Sequence, residues 1–387
     1  MKTPLLSLVI PTLDRYETLI PLVRTLATWG DARMEVIIAD NSTNNSGFIY
    51  LLEARKNPCF VYSHSDEKLS AVENCDLAVS KARGKYITFI GDDDGVSRKL
   101  IDVCKWMEEG NVESVCFNTS LYTWPNSIHA VSANERYNGK LVSPKFSGMT
   151  EAVDVGTELE KILQSGAQAL YRVPRLYHGV VSKTCLDQLY RRLGTYFPGP
   201  VPDMSNAMGL CSIVSRHYFI DAPVIISGHS KKSMSGRNSR REHQGEIKTE
   251  PSLPASASET WYKEVPYFWS GPTIWAQACL EGLHRSGLGE RRSSFSYPKL
   301  YAGCLVFCKR SYHSRVFESM RCRADDSNRW TVMLWTLVHV WRLAALRLIT
   351  WLRKVLFGIS GETCEDISAA MQRTDRILEF GLRLGTK

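Results

Sequence analysis

Three consecutive carboxylates, Asp92-Asp93-Asp94, follow directly on the run Lys85-Tyr86-Ile87-Thr88-Phe89-Ile90-Gly91 and are closed by Gly95. Adjacent acids repel one another unless a cation neutralises them. Hard oxygen ligands suit Mg2+ or Mn2+, ions that commonly bridge a phosphate to protein carboxylates. The same acids also read as a solvated turn. The residues ahead of them are mostly β-branched or aromatic, as in a buried strand. A strand that ends in acids sets them at the carboxyl edge of a sheet, where open α/β folds bind ligands.

Two earlier strand-like runs end the same way. Leu5–Ile10 is ended by Pro11 and followed by Thr12 and Asp14. Met34–Ala39 leads into Asp40-Asn41-Ser42. Asp14 is placed to cap a helix over Arg15–Trp29 that lines up Leu19, Leu22, Val23 and Leu26. A short helix over Phe48–Arg55, a strand over Cys59–Ser63 and a helix over Ser70–Ala82 complete a β-α-β-α-β-α-β order. That alternation implies parallel strands with right-handed crossovers. The three polar strand ends then share one edge and can converge on one ligand.

Beyond the acids, helices are expected over Leu100–Glu109, Thr157–Ser165, Ser182–Leu193 and Asp203–Arg216, the last capped by Asp203, with strands over Val112–Asn118 and Tyr218–Ser227. Leu121–Phe146 reads as irregular. Ser230–Ser258 is rich in Ser, Lys, Arg, Glu and Pro, too polar to order itself alone. It is a linker or a mobile basic lid. Trp261–Arg323 is mostly helical. Trp330–Ile359 then carries four Trp and no acid, with its Thr, His, Arg and Lys residues on one arc of a helix. A basic amphipathic helix of this kind suits the plane of an anionic bilayer surface. Packed on the rest of the chain with Arg on the wet side, it would need no membrane.

The composition is that of a globular protein: 44% hydrophobic, 23% charged, net charge +8 over 387 residues. Eleven cysteines show no paired C-x-x-C spacing, which points to reduced thiols in a cytoplasmic setting. The amino-terminal run is too short for a signal sequence. No G-x-x-x-x-G-K-[ST] loop, no G-x-G-x-x-G after the first strand and no G-x-S-x-G elbow occurs, which weighs against P-loop, dinucleotide and α/β-hydrolase chemistry. No basic helix fits a groove, so nucleic acid is not an expected partner.

Leu8-Val9-Ile10-Pro11-Thr12-Leu13-Asp14-Arg15, Glu35-Val36-Ile37-Ile38-Ala39-Asp40-Asn41-Ser42, Asn74 with Ala82-Arg83-Gly84-Lys85, and Gly91–Asp94 occur in order. Together they resemble the family 2 glycosyltransferases of the GT-A fold. The resemblance implies an α/β chain with a Rossmann-like mixed sheet, flanking helices and a C-terminal helical extension. It also implies a nucleotide-diphosphate sugar donor, UDP-sugar first among them, and Mg2+ or Mn2+. Pro11, Thr12, Asp14 and Arg15 would border the nucleotide, and Asp40 would take a hydrogen bond from the base. Asn74 would lie at the donor, Asp92 near the ribose, and Asp93 and Asp94 at the metal. Glu73 stands where relatives often carry Arg, which moves the diphosphate's cation to Arg83 or the basic loop. Tyr177-His178-Gly179 resembles the acceptor loop and Asp203 the general base. His229 resembles the histidine that completes the metal shell.

The expected partition is a catalytic domain over 1–229, a basic loop or lid over 230–258, a helical acceptor-side region over 259–328 and amphipathic helices over 329–387. The expected activity is inverting transfer to a hydroxyl of a surface-polysaccharide or lipid-linked glycan acceptor, peripheral to the inner face of the cell membrane. A sugar-phosphate nucleotidyltransferase and a non-catalytic nucleotide-sugar scaffold are the rival readings.

Overall fold

The chain is seen as a computed structural model that describes residues 3–44, 59–125, 127, 137–239, 243–323, 329–357 and 361–385. The helix expected over Phe48–Arg55 lies outside these residues, as do Arg240, Arg241 and part of the irregular stretch after Leu121.

Apolar runs become a mixed sheet. Its strands are β1 (Leu6–Thr12), β2 (Met34–Asp40), β3 (Phe60–His64), β4 (Tyr86–Phe89), β5 (Gly95–Val96), β6 (Ser114–Thr123), β7 (Lys140–Val142), β8 (Thr150–Ala152), β9 (Gly179–Ser182) and β10 (His217–His229). Neighbours run β3-β2-β1-β4-β9-β6-β10. All are parallel except β9, which is antiparallel to β4 and β6. Every residue of β2 is buried, as a strand covered on both faces requires. The register of β1 on β2 sets Thr12 beside Asp40, so two of the expected polar ends do meet.

Helices cover both faces. Tyr16–Ala27, Lys99–Glu109 and Ile367–Gly381 pack one face through Leu19, Leu22, Val103, Met107, Ile367 and Met371. Ala71–Ser80 and Lys183–Leu193 pack the other through Val72, Val79, Leu186 and Leu189. A second core lies among helices Val155–Gln164, Pro202–Cys211, Gly271–Arg285 and Tyr297–Phe307.

Several boundaries differ from expectation. Pro11 does not end β1; it stays in the strand opposite Ala39, beyond the last β1–β4 pair, Val9–Phe89. Asp14 does not cap the first helix, whose N-cap is Arg15 without a side-chain bond. Asp14 instead adopts φ 53, a left-handed turn that Asp tolerates, and its carboxylate accepts from Thr43 N at 3.0 Å. Asp203 lies inside the first turn of Pro202–Cys211, whose N-cap is Val201. The segment after His229 is not a free linker. Helix Met234–Ser239 and two short turns follow, and Ile247, Leu253 and Ala257 are buried in the second core. The C-terminal helix Ile367–Gly381 belongs to the sheet core rather than to an amphipathic tail.

Candidate active site

The acids after β4 are fully buried, at 0%, 3% and 0% exposure for Asp92, Asp93 and Asp94. Burial of charge on this scale requires partners, and each acid has a different set. Asp92 Oδ2 accepts from Thr12 Oγ1 at 2.7 Å and from Arg15 Nε at 3.1 Å, and Arg15 Nη2 stands 2.6 Å from its Oδ1. Asp93 Oδ2 accepts from Ser230 Oγ at 2.6 Å and Ser230 N at 3.2 Å, while Oδ1 lies 3.6 Å from Arg15 Nη1. Asp94 accepts from Gly91 N at 2.7 Å, Gly228 N at 2.6 Å, Tyr177 Oη at 3.1 Å and pairs with His178 Nε2 at 2.7 Å.

These partners separate the three. Burial pushes the Asp92 and Asp93 carboxyls up, against the pull of Arg15. Burial acts on Asp94 too, but His178 and the two backbone N–H groups outweigh it and hold it below the ordinary range. Burial would lower the Arg15 guanidinium, and the acids beside it raise it instead. Arg15 is therefore the internal cation of the acid loop.

Among the described residues, no three His, Cys, Asp or Glu side chains form a preformed metal cage. The donor chemistry narrows to one atom. Asp93 Oδ1 accepts no hydrogen bond among the described residues, and one or two carboxylates with substrate phosphates are enough for Mg2+. Asp93 fits such an ion. Asp94 Oδ2 is taken up by Gly91 N, Tyr177 and His178 and its Oδ1 accepts from Gly228 N, so of the two acids expected at the metal Asp93 is the less occupied. His229 ends β10 beside Ser230, and its carbonyl accepts from Trp124 N at 3.0 Å.

Asp40, at 1% exposure, forms the other half of the edge. Its Oδ2 accepts from Tyr16 Oη at 2.5 Å and Tyr62 Oη at 2.7 Å, and its Oδ1 from Ser42 N at 2.9 Å. A carboxylate offers about four lone-pair sites, so one on Oδ1 stays open to a ligand. Asp14 N donates to Ser42 Oγ at 2.7 Å, and its carbonyl accepts from Lys232 Nζ at 2.9 Å. Lys232 thus brings the basic segment to the nucleotide side. Asn74 is buried and its Nδ2 reaches Ala39 O at 3.5 Å, next to Asp40.

Arg83 is not there. Its backbone N, Nε and Nη2 donate to Glu35 at 2.7, 3.0 and 2.8 Å. Glu35 is the second residue of β2, opposite Ser7, and Asp40 ends it. Five residues of strand separate the two, roughly 17 Å at about 3.3 Å each. Arg83 is a strut at the amino edge and cannot reach a diphosphate at the carboxyl edge. Glu73 and Ser70 instead form a reciprocal capping box at the start of helix Ala71–Ser80.

Asp203 Oδ1 accepts from Met204 N at 2.8 Å, and His178 and Tyr177 are near enough to act on it electrostatically. Burial pushes its carboxyl up, with Met204 N and Trp275 opposing. A carboxylate whose pKa is raised is a stronger proton acceptor than an ordinary one. His178 sits at φ 59, and its ring stacks on Tyr177 with centroids 3.9 Å apart.

Tyr16 and Tyr62 escaped the sequence reading, and Gly228 and Ser230, which flank His229, were given no role in it. A Cβ at Gly228 would come within 1.9 Å of Asp93 O, so only glycine allows β10 to lie against the acid loop. A cavity of about 370 Å3 bordered by Asn118, Arg172 and Asp221 contains none of these residues.

Residues 7–147 match the model of the family described as Glycosyl transferase family 2. A stretch of 92 residues is 32% identical to "Putative colanic acid biosynthesis glycosyl transferase WcaA" of Escherichia coli (strain K12), covering 24% of this chain and 33% of that one. The chain thus spans about a third of that relative's length. Among solved structures, S. aureus TarS 1-349 in complex with UDP is 14% identical over 87% of this chain and 88% of its own, with a TM-score of 0.46. The mannosyltransferase PcManGT from Pyrobaculum calidifontis, in complex with GDP-Man and Mn2+, is 11% identical over 91% and 88%, with a TM-score of 0.39.

Proposed function

We propose that this chain, which carries a Glycosyl transferase family 2 domain over residues 7–147, moves a hexosyl unit from a nucleotide-diphosphate donor to an acceptor hydroxyl with inversion. The observation that carries the reading is the shared edge. Asp40 at the end of β2 lies in register with Thr12 at the end of β1, and Thr12 and Arg15 hold Asp92 and Asp93 after β4 by direct hydrogen bonds and ion pairs.

The base lies toward Asp40, whose open Oδ1 site suits a ring N–H such as that of uracil, which makes UDP the first nucleotide to try. The ribose and diphosphate then run past Thr12 and Asp92 to Asp93. Asp203 takes the proton from the acceptor hydroxyl as that oxygen attacks the anomeric carbon. The bond from the anomeric carbon to the diphosphate oxygen breaks on the opposite side, and the electron pair leaves with the diphosphate. Mg2+ or Mn2+ held through Asp93 would supply positive charge to that leaving group. Arg15 and Lys232 are the protein's own cations at the same edge. The fixed scaffold's main contribution is to hold two substrates in line.

The partial likeness to a colanic acid biosynthesis protein supports a surface-polysaccharide or lipid-linked glycan as acceptor. None of the described cysteines is joined in a disulfide, which supports work on the cytoplasmic side. Titration of UDP with and without Mn2+, followed by donor hydrolysis, tests the reading. Absence of both binding and hydrolysis across UDP- and GDP-sugars would leave it without support.

A further inference from the structure

The long helix Arg329–Phe357 lays one stripe on the protein, where Thr336, His339 and Arg347 sit among Val332, Val340 and Leu343, and turns a wholly apolar set of residues away from it. Thr336 is 1% exposed. Val332, His339, Val340 and Leu343 are half-buried on the same stripe, three and four residues apart as one helix face requires. At the far end of that stripe Arg347 Nη1 donates to Val306 O at 3.3 Å, and its guanidinium lies 5.8 Å from the Phe307 ring centre. The stripe packs along helix Tyr297–Phe307. Leu334, Val338, Trp341, Leu348, Ile349 and Leu352 share the opposite face, and all are exposed, Trp341 to 78%.

An apolar surface of this extent on a folded chain marks an interaction site. We infer that this face is seated in the plane of a bilayer surface, with the helix lying along the membrane rather than crossing it. Three observations select lipid as the occupant. The helix carries Trp330, Trp335, Trp341 and Trp351, the side chains enriched at membrane–water interfaces. No Asp or Glu occurs from Trp330 to Gly361. Arg342 and Arg353 border the same side of the apolar face at helical pitch, where they can meet anionic headgroups.

The stretch Trp330–Arg353 is long and apolar enough to cross a membrane, but its surroundings oppose that. The stripe from Val332 to Arg347 rests on a helix whose Leu300, Tyr301 and Cys304 are part of the second core. Upstream, Val316 and Met320 are tied into that core. Downstream, Glu362 and Thr363 (β13) already pair with β7 of the sheet. Both ends therefore belong to one body, which stands on one side of the bilayer. A surface helix with one face on protein and the other in lipid satisfies both constraints. This placement does not depend on the transfer reaction proposed above.

The test is flotation of the full chain with vesicles of phosphatidylcholine, with and without phosphatidylglycerol. The wild-type chain is expected to float with the anionic vesicles and to be released by alkaline carbonate. A variant carrying Leu334→Glu, Trp341→Glu and Ile349→Glu is expected to lose the vesicle-bound fraction while keeping its circular dichroism and its melting temperature. Those substitutions lie on the exposed face, so the fold has no reason to change. Wild-type protein that stays at the bottom of the gradient overturns the inference. So does a wild-type dimer that the triple variant abolishes without lipid, since a second copy would then be the occupant. Carbonate-resistant wild-type protein overturns the in-plane placement.

Discussion

Arg15 grips Asp92 at two points, Nη2 to Oδ1 at 2.6 Å and Nε to Oδ2 at 3.1 Å, and from there holds its Nη1 3.6 Å from Asp93. The cation that three adjacent acids demand is thus supplied first by the chain itself. It comes from the residue that follows the turn after β1, so β1 and the acid loop after β4 are tied together at this edge.

Removing that cation leaves two buried carboxylates uncompensated. Arg15→Ala is expected to cost about 3 to 5 kcal/mol of stability, read as a fall in the denaturant midpoint. Mn2+ is expected to restore part of the loss in the variant and to change the wild type less. A variant as stable as wild type, with no response to Mn2+, contradicts the role given to Arg15.

Asp203→Asn removes the proton acceptor and leaves the donor side intact. The expected loss in transfer rate is about 10²- to 10⁴-fold with UDP affinity unchanged. The pH profile carries a sign. Asp203 works ionised, and its carboxyl is held above the ordinary value by burial. The rate of the wild type therefore falls as pH drops through that raised value, at a higher pH than an exposed aspartate would give. An acid limb no higher than that of a free carboxylate speaks against Asp203 as the base.

Gly228→Ala places a Cβ 1.9 Å from Asp93 O, a backbone atom that cannot swing aside. Overpacking of this kind costs about 1 to 3 kcal/mol, occasionally more, and here it also shifts the loop that carries Asp93. Activity is expected to fall further than stability. Gly245→Ala, where a Cβ meets nothing within 4 Å, serves as the neutral control in the same melting and rate assays.

Tyr16→Phe and Tyr62→Phe each delete one hydrogen bond to Asp40. Bonds to a charged group are worth about 1.5 to 3 kcal/mol. The loss is expected in the KM for the donor, because the proposed role of Asp40 is to orient the base and not to break a bond. A change confined to kcat would contradict that placement.

The strands and their polar ends were legible because each is a mostly apolar run closed by polar residues. Thr12, Asp40 and Asp92 follow from that pattern alone once the strands are parallel. Arg83 could have been set aside on the same logic. It precedes β4, whereas the acids follow it, so the two must lie at opposite edges. Gly84, whose Cβ would meet Ser7 N at 2.6 Å, fixes that amino edge. Gly228 and Ser230 were hidden by distance, since the chain returns to the acid loop only through β10, more than a hundred residues later. The long helix shows a different limit. Periodicity revealed two faces, but which face the protein would cover depends on Val306 and Phe307 of a neighbouring helix.

The central claim is that Asp92–Asp94 and Asp40 form one donor site. Release of nucleoside diphosphate from a panel of UDP- and GDP-sugars, measured side by side for wild type and Asp93→Asn, tests it most directly. Slow hydrolysis of at least one donor by the wild type, lost in the variant, is the predicted result. A donor consumed equally by both proteins, or none consumed by either, would contradict it.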